Sequence, residues 1–416
     1  MRSWVSLWMV LVSLPAWSLT LPESVGIALQ KSSVLKQQTL ELEKSELSLK
    51  QSKSAFLPSL DLTASYIYND ENPNERTYDW DSSAAISVTE NFYDHGLSLT
   101  NYKISKSRKA LTELDYRREK SSTVLKTVQI YLEVLKTQKI EELQIKNMAQ
   151  VEKVYNLVVS QYKQGLRTRQ DFLRFEAQYQ RAILAKASAE YDTMKAREDL
   201  KVYLDLPETP VQLSDYQQKS VPVSTEPQIY ESEKRHLTQE LRTSEEKLLR
   251  IENRPRIDVV GKFGYGSDSY FHTDTRWSDN DKTFWNVGLT FNWNLWDWGQ
   301  RGSAVKISHL ESLRQDVRSS FDERDAKSVI SKLQEQVRLI QKQYDITEKL
   351  FKVETENFTI MERYFREGKS SFLDYSTSLS DLISVQIQKI QTEYNLIQTR
   401  LELEHRKGYL DEKSVQ

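Results

Sequence analysis

The 416-residue sequence predicts an internally duplicated fold of mixed type, in which long α-helical hairpins alternate with short membrane-type β-hairpins. Three observations carry this reading. First, a series of landmarks recurs at one spacing. Phe92-Tyr93-Asp94-His95-Gly96 returns as Leu295-Trp296-Asp297-Trp298-Gly299, and Tyr162-Lys163-Gln164-Gly165 followed by Asp171 returns as Phe365-Arg366-Glu367-Gly368 followed by Asp374. The offset is 203 for Gly96 and Gly299, for Gly165 and Gly368, and for Asp171 and Asp374. Pro58-Ser59-Leu60-Asp61-Leu62 matches Pro255-Arg256-Ile257-Asp258-Val259 at 197, so a short indel separates the halves. An ordered recurrence of this kind marks two similar structural units. Second, Gly96 to Gly165 and Gly299 to Gly368 each span 69 residues with no proline, and only Gly302 interrupts them. Third, Trp285, Val287, Leu289, Phe291, Trp293 and Leu295 alternate with small or polar residues, the period of a strand.

In chain order, Arg2, the apolar run from Trp4 to Leu14 and Ala16-Trp17-Ser18 read as a Sec-type export signal over residues 1–18. A retained anchor is the alternative, but the run is far below the ~20 residues that span a bilayer. With zero cysteines there is no disulfide, no thiolate chemistry and no lipidated N-terminal cysteine, so a lipoprotein is not expected. The first repeat covers 19–205: a helix, a strand hairpin at about 58–93 and a long helical hairpin at about 96–205. Leu60, Leu62, Ala64, Tyr66 and Tyr68 alternate with Asp61, Thr63 and Ser65; the partner strand reads Ala84, Ile86, Val88 and Phe92, with Glu90 on the apolar face. Glu90 fits there only at a bulge or near an aqueous end. Pro207, Pro210, Pro222 and Pro227 mark an irregular connector, 206–227, read as a belt beside the helices.

The second repeat covers 228–408, with a strand hairpin at about 255–296 and a helical hairpin at about 299–408, before a tail at 409–416. Positions 337, 340, 344, 347, 351, 354, 358, 361 and 365 alternate by three and four, a coiled-coil seam interrupted by Thr347 and Glu354. Ile383, Ile387, Ile390, Tyr394, Ile397 and Leu401 form the returning stripe. At 1.5 Å per residue each uninterrupted stretch is a helix about 100 Å long, which needs a partner along its length. Of nine tryptophans, the six outside the leader (Trp80, Trp277, Trp285, Trp293, Trp296 and Trp298) lie in the strand regions, as in an interfacial aromatic belt. A soluble sandwich core is the competing account. The acidic stretches Asn69 to Asp81 and Gly266 to Lys282 read as solvated loops, or as anion-repelling segments at a pore mouth.

These landmarks together resemble the TolC-type outer-membrane efflux proteins, across essentially the whole mature chain. The resemblance rests on Ala55-Phe56-Leu57-Pro58, on Asn286-Val287-Gly288-Leu289, on Leu295-Trp296-Asp297-Trp298-Gly299-Gln300-Arg301 and on the aromatic-x-x-Gly-x5-Asp turn in both halves. It implies a homotrimer whose four strands per chain close one twelve-stranded barrel in outer-membrane lipid, continued by a periplasmic helical tunnel. It also implies a periplasmic adaptor (a membrane fusion protein) and an inner-membrane pump as partners, in tripartite efflux or type I secretion. The turns at Gly165 and Gly368 become candidate adaptor-docking turns, and Asp374, Asp171, Arg167, Tyr162 and Phe365 candidate entrance or gate residues. Trp285, Val287, Leu289, Phe291, Trp293 and Leu295 become the lipid-facing strand. In better-known members the second turn carries a gating Tyr and Arg and two aspartates; here Phe365, Ser370 and Thr377 replace three of these. For Asp171 and Asp374 the competing reading is plain helix-end charge.

Other classes fit less well. The formal net charge of -2 offers no field for nucleic acid. His95, His236, His272, His309 and His405 are scattered, without metal-ligand pairs or nucleophile motifs, so no catalytic residue, cofactor or metal is expected. A periplasmic adaptor that bridges rather than conducts is the alternative; it would carry compact β modules instead of lipid-facing strands.

Overall fold

The structure, a computed structural model, describes residues 18–70, 78–207, 212–214, 229–266, 282–408 and 410. Residues 1–17 of the export signal, 71–77 and 267–281 of the acidic stretches (with Trp277), most of the connector and residues 409 and 411–416 of the tail lie outside the described residues, whereas Ser18 belongs to a short strand and Tyr78 to Asp81, read as part of an acidic loop, belong to a long one. The elements are β1 (Ser18–Leu19), α1 (Leu21–Lys31), α2 (Ser33–Ser54), β2 (Ser59–Asp70), β3 (Tyr78–Tyr93), α3 (Leu97–Lys163), α4 (Arg169–Leu204), β4 (Gln212–Leu213), α5 (Tyr230–Ile251), β5 (Arg256–Gly266), β6 (Lys282–Asn292), α6 (Gln300–Arg366) and α7 (Phe372–Lys407). Both α3 and α6 have 67 residues, and both returning helices have 36. The duplication is thus reproduced in element order and length.

Contacts divide the chain into two units that cut across the repeats. One comprises Met1–Gln37, Arg117–Tyr230 and Arg324–Gln416, the other Gln38–Tyr116 and Glu231–Glu323. Like parts of the two repeats associate with each other, strands with strands and hairpins with hairpins.

In the second of these units, four antiparallel strands form one sheet in the order β2-β3-β5-β6. The repeats meet at the β3–β5 pairing, where Val88 lies opposite Gly261 and Glu90 opposite Val259. Strands β2 and β6 are the edges. In the same unit α5 is tied to α6 by Arg235 to Asp316 and Glu323, both at 3.0 Å, and α3 to α2 by Lys109 to Glu46 at 3.0 Å.

In the other unit, one cluster joins Leu21 and Val25 of α1, Val124, Val128 and Leu132 of α3, and Tyr394, Ile397 and Leu401 of α7. The connector is less irregular than its prolines suggest, because β4 pairs in parallel with β1. The Tyr131 hydroxyl explains why two such short strands persist: it lies 2.7 Å from the Ser214 carbonyl and 3.0 Å from that of Leu19. All nine positions of the α6 seam are buried or partly buried. The same helix also carries a stripe at Leu339, Ile346, Leu350 and Val353 that is exposed. No helix among the described residues is long and apolar enough to cross a membrane.

Candidate functional site

The sheet sorts its side chains by register. Leu62, Ile86, Phe263 and Trp285 stand in one row across all four strands, and the next outward row is Leu60, Val88, Gly261 and Val287. On the opposite face run Asp61, Ser87, Lys262 and Asn286. A period of two forces this separation. The apolar face is open: Trp285, Val287, Leu289 and Phe291 are exposed, as are Leu60 and Leu62. A contiguous apolar face of this size has to meet lipid or another protein surface.

Two of the expected strand residues lie elsewhere. β6 ends at Asn292, opposite Arg256, so Trp293 and Leu295 follow the strand rather than belong to it. Pro255 precedes the last rung and has no N–H to extend the ladder. β6 instead starts at Lys282, ahead of the alternation. Glu90 stands beside Val259 on the apolar side, just before an irregularity between Asn91 and Tyr93, and its Oε2 is buried without a hydrogen-bond partner. On the polar face Asn91 Nδ2 donates to Asp258 Oδ1 at 3.0 Å. Gly264 is obligatory there, since a Cβ would stand 2.6 Å from the Phe284 ring and 2.8 Å from the Ala84 carbonyl oxygen.

Each strand pair passes into its long helix through the same elbow. Asp94 accepts from the Gly96 amide at 2.9 Å and from the Ser98 amide at 2.7 Å. Asp297 repeats this with Gly299 and Arg301, both at 3.1 Å. These carboxylates satisfy amides that a helix start leaves orphaned. His95 and Trp298 take positive φ at 56° and 54°. His95 Nδ1 donates to the Pro255 carbonyl at 2.8 Å, whereas Trp298 is 90% exposed.

The far helix ends are duplicated as closely. Gly165 bonds its N–H to the Tyr162 carbonyl at 3.0 Å, and Leu166 to that of Gln161 at 2.9 Å; Gly368 and Lys369 do the same with Phe365 and Tyr364. With φ of 75° and 72°, Gly165 and Gly368 close these left-handed helix ends without a Cβ clash. Thr168 then caps α4 through the Asp171 amide at 3.1 Å, and Ser371 caps α7 through the Asp374 amide at 3.2 Å. Ser371 also donates its hydroxyl to Asp374 Oδ2 at 2.7 Å, as Thr168 does to Asp171 Oδ2 at 2.9 Å. Both aspartates therefore sit in capping interactions, where negative charge favours the helix dipole. The bonds found for each stay within its own turn.

Arg167 and Phe365, from different hairpins, are brought together: the guanidinium lies 5.5 Å from the ring centroid. Phe365 belongs to a buried aromatic cluster. Phe175 lies 3.9 Å from Phe372, and Tyr375 stacks on Phe365 at 4.8 Å. Tyr375 is 1% exposed and its hydroxyl has no partner in bonding geometry. Burial, with help from the charge of Glu362, pushes its pKa up to about 12. Tyr162 is placed apart from this cluster and stacks on Phe172 at 5.0 Å. Phe172, Phe175, Phe372 and Tyr375 were missed by the sequence reading. The repeat spacing holds the signal for two of them, because Phe172 becomes Tyr375 at the same offset of 203 that turns Tyr155 and Tyr162 into Phe358 and Phe365. Among the described residues no group of three acidic or histidine side chains is placed to hold a metal.

Comparison with known proteins adds to this geometry. Residues 25–204 and 234–408 match the family described as "Outer membrane efflux protein", one segment per repeat. The outer membrane protein TolC of Escherichia coli K12 is 22% identical over 402 residues, covering 88% of this chain and 78% of TolC. The CmeC outer membrane channel of Campylobacter jejuni superposes with a TM-score of 0.80 at 17% identity, over 94% of this chain and 87% of CmeC. The outer membrane protein VceC of Vibrio cholerae gives 0.80 at 14% identity, over 94% and 96%. At these identities the structural likeness establishes the fold.

Proposed function

From the premise that this chain belongs to the outer membrane efflux protein family, we propose that three copies assemble into a channel through the outer membrane, fed by an inner-membrane pump through a periplasmic adaptor. One observation carries the assembly: a four-stranded antiparallel sheet with β2 and β6 as edges and an exposed apolar face. Such a sheet leaves backbone groups unpaired at both edges, which lipid does not tolerate, and only closure removes edges. Three copies of four strands make a barrel of twelve. The exposed stripe at Leu339, Ile346, Leu350 and Val353 supports the same conclusion for the helices, which also need neighbours.

Within that barrel the face bearing Asp61, Lys262, Asn286 and Asp258 lines a wet passage, and the Leu62 to Trp285 row meets lipid. The turns at Gly165 and Gly368 form the entrance and receive the adaptor, with Asp374 and Asp171 as its charged groups. Export by a cleaved signal, without a lipid anchor, fits the absence of cysteine from the sequence. The bridging-adaptor alternative has nothing in its favour here, because the four strands form one open sheet instead of compact soluble modules.

The test is purification from outer membranes followed by light scattering and electrophoresis with and without heating. A heat-modifiable trimer that conducts in planar bilayers is expected; a monomer extractable without detergent would overturn the reading.

A further inference from the structure

Helices α5 and α6 lie side by side in the unit that carries the sheet. Arg235 ties them at one level, through Asp316 and Glu323, and His309 Nδ1 meets Glu246 Oε2 at 3.3 Å at another. Between these ties is a pocket of about 120 Å³, walled by Arg235, Thr238 and Arg242 of α5 and by Ser312, Asp316 and Ser319 of α6. The duplication shows how the second repeat comes to have it. Both ends of α5 lie 197 residues after those of α2, and both ends of α6 lie 203 after those of α3, so counterparts can be read off directly. Tyr116 and Lys109 of α3 stand where α6 has Ser319 and Ser312, and Gln38 and Ser45 of α2 where α5 has Arg235 and Arg242. On one wall a tyrosine and a lysine give way to two serines, which opens volume. On the other, two uncharged side chains give way to two arginines, which lines that volume with N–H donors.

The two guanidinium groups are unequally occupied. Arg235 donates to Glu323 and to Asp316, both at 3.0 Å, so there one cation meets two carboxylates. Arg242 donates through Nη1 to Glu245 Oε2 at 2.9 Å, and the other oxygen of that carboxylate takes Arg108 at 2.8 Å. At this end two cations share one carboxylate. The Nε–H of Arg242 is moreover buried with no hydrogen-bond partner among the described residues. A buried donor left without an acceptor is unfavourable. Because Glu245 engages Nη1, the remaining edge of the guanidinium is the one formed by Nε and Nη2. Two parallel N–H bonds from such an edge match the oxygens of a carboxylate or a phosphate. Thr238, one turn before Arg242, and Ser312 on the facing helix bring hydroxyl donors to the same pocket. Asp316 is held by Arg235, which stands about 10 Å along α5 from Arg242.

We propose that this pocket binds a small oxyanion, a carboxylate or a phosphate group, on the free edge of Arg242 with the hydroxyls of Thr238 and Ser312. The site is built from two helices of one repeat, so it stands independently of how copies of the chain assemble. A bound group joins α5 to α6 between their two existing ties and supplies the acceptor that the Arg242 Nε–H lacks. Chloride meets the fork at one point where an oxyanion meets it at two, so the site favours oxyanions over the commoner halide.

The full-length protein, purified in detergent with chloride as the buffer anion, is titrated with sodium acetate and, separately, with inorganic phosphate. Saturation transfer to the acetate protons and broadening of the phosphorus resonance read the binding. Saturable binding of at least one is expected despite the chloride, and which of the two binds tells a carboxylate site from a phosphate site. Arg242→Lys keeps the charge but not the fork and should weaken binding about tenfold. Ser319→Tyr restores the side chain of the first repeat and should abolish binding by filling the pocket. Arg250→Gln removes a cation of α5 that does not line the pocket and should leave binding unchanged. Light scattering checks that each variant keeps the oligomeric state of the parent. No saturable binding in the parent, binding unaltered in both Arg242→Lys and Ser319→Tyr, or an equal loss in Arg250→Gln would overturn the site and leave the channel reading untouched.

Discussion

His405 and Ser121 are joined by a 2.8 Å hydrogen bond between the imidazole Nδ1 and the hydroxyl, in a buried site that also holds Leu410. Ser121 Oγ accepts from the Leu410 amide at 2.8 Å, so its own proton goes to a neutral imidazole. Burial, followed by the charges of Arg118 and Arg406, lowers the His405 pKa to about 3. The unfolded chain takes up this proton near pH 6.5 and the native chain does not, so stability is lost as pH falls from about 6.5 towards 3. At pH 4 the loss is on the order of 3 kcal/mol per chain. Chemical denaturation at pH 7 and pH 4 measures it, and His405→Leu should flatten much of the dependence. Ser121→Ala should cost about 1–3 kcal/mol at pH 7, by leaving the Leu410 amide and the imidazole unpaired.

Removal of either elbow carboxylate should destabilise its strand-to-helix junction. Asp94→Ala and Asp297→Ala each delete two amide bonds, and a lost helix cap costs about 0.5–2 kcal/mol. Asp94 carries a pH signature as well. Burial raises its pKa, but the bonds from Ser98, Gly96 and Leu97 outweigh this and hold it below the ordinary carboxylate range. Its contribution is thus complete above about pH 4 and is lost as pH falls through the lowered value. Hydrogen exchange of the first turn of α3, compared across pH, checks this.

Gly264→Val should damage the four-stranded sheet more than any neighbouring change of the same size. The added Cβ meets the Phe284 ring and the backbone of β3, with no room on either side. Overpacking of this kind costs about 1–3 kcal/mol. The yield of heat-modifiable oligomer should drop, whereas Gly288→Val, where a Cβ meets nothing within 4 Å, should be tolerated.

If the turns at Gly165 and Gly368 form an entrance, its charges Asp171 and Asp374 separate by hairpin. Asparagine at 374 or 171 keeps an oxygen for the capping serine or threonine, so Asp374→Asn and Asp171→Asn should both fold normally. If Asp374 forms a threefold ring, its replacement should weaken block by multivalent cations in planar bilayers, with little change for Asp171→Asn. Equal conductance and block in both variants and the parent would leave these aspartates as helix-end charges alone.

Much of this fold was legible because the duplication writes each landmark twice. Gly165 with Gly368 and Asp94 with Asp297 announced the turns and elbows, and the α6 seam was readable from its three-four spacing. What escaped depended on contacts between elements rather than within them. Within the second repeat, the end of β6 is set by Pro255, just before the partner strand, so alternation alone ran on through Trp293 to Leu295. Phe175 looks like any helical aromatic until the second hairpin is laid beside it. The second stripe on α6 was hidden because one helix can carry two seams, and only packing shows which is already occupied.

The central claim is a closed barrel with lipid outside and water within, and adjacent residues of β6 test it most directly. Leu289→Cys and Thr290→Cys are placed singly in the cysteine-free chain and exposed to a membrane-impermeant maleimide in reconstituted bilayers. The account predicts rapid labelling at 290 and protection at 289, with the protection lost on detergent unfolding. Equal aqueous labelling at both positions would contradict the barrel, and with it the channel.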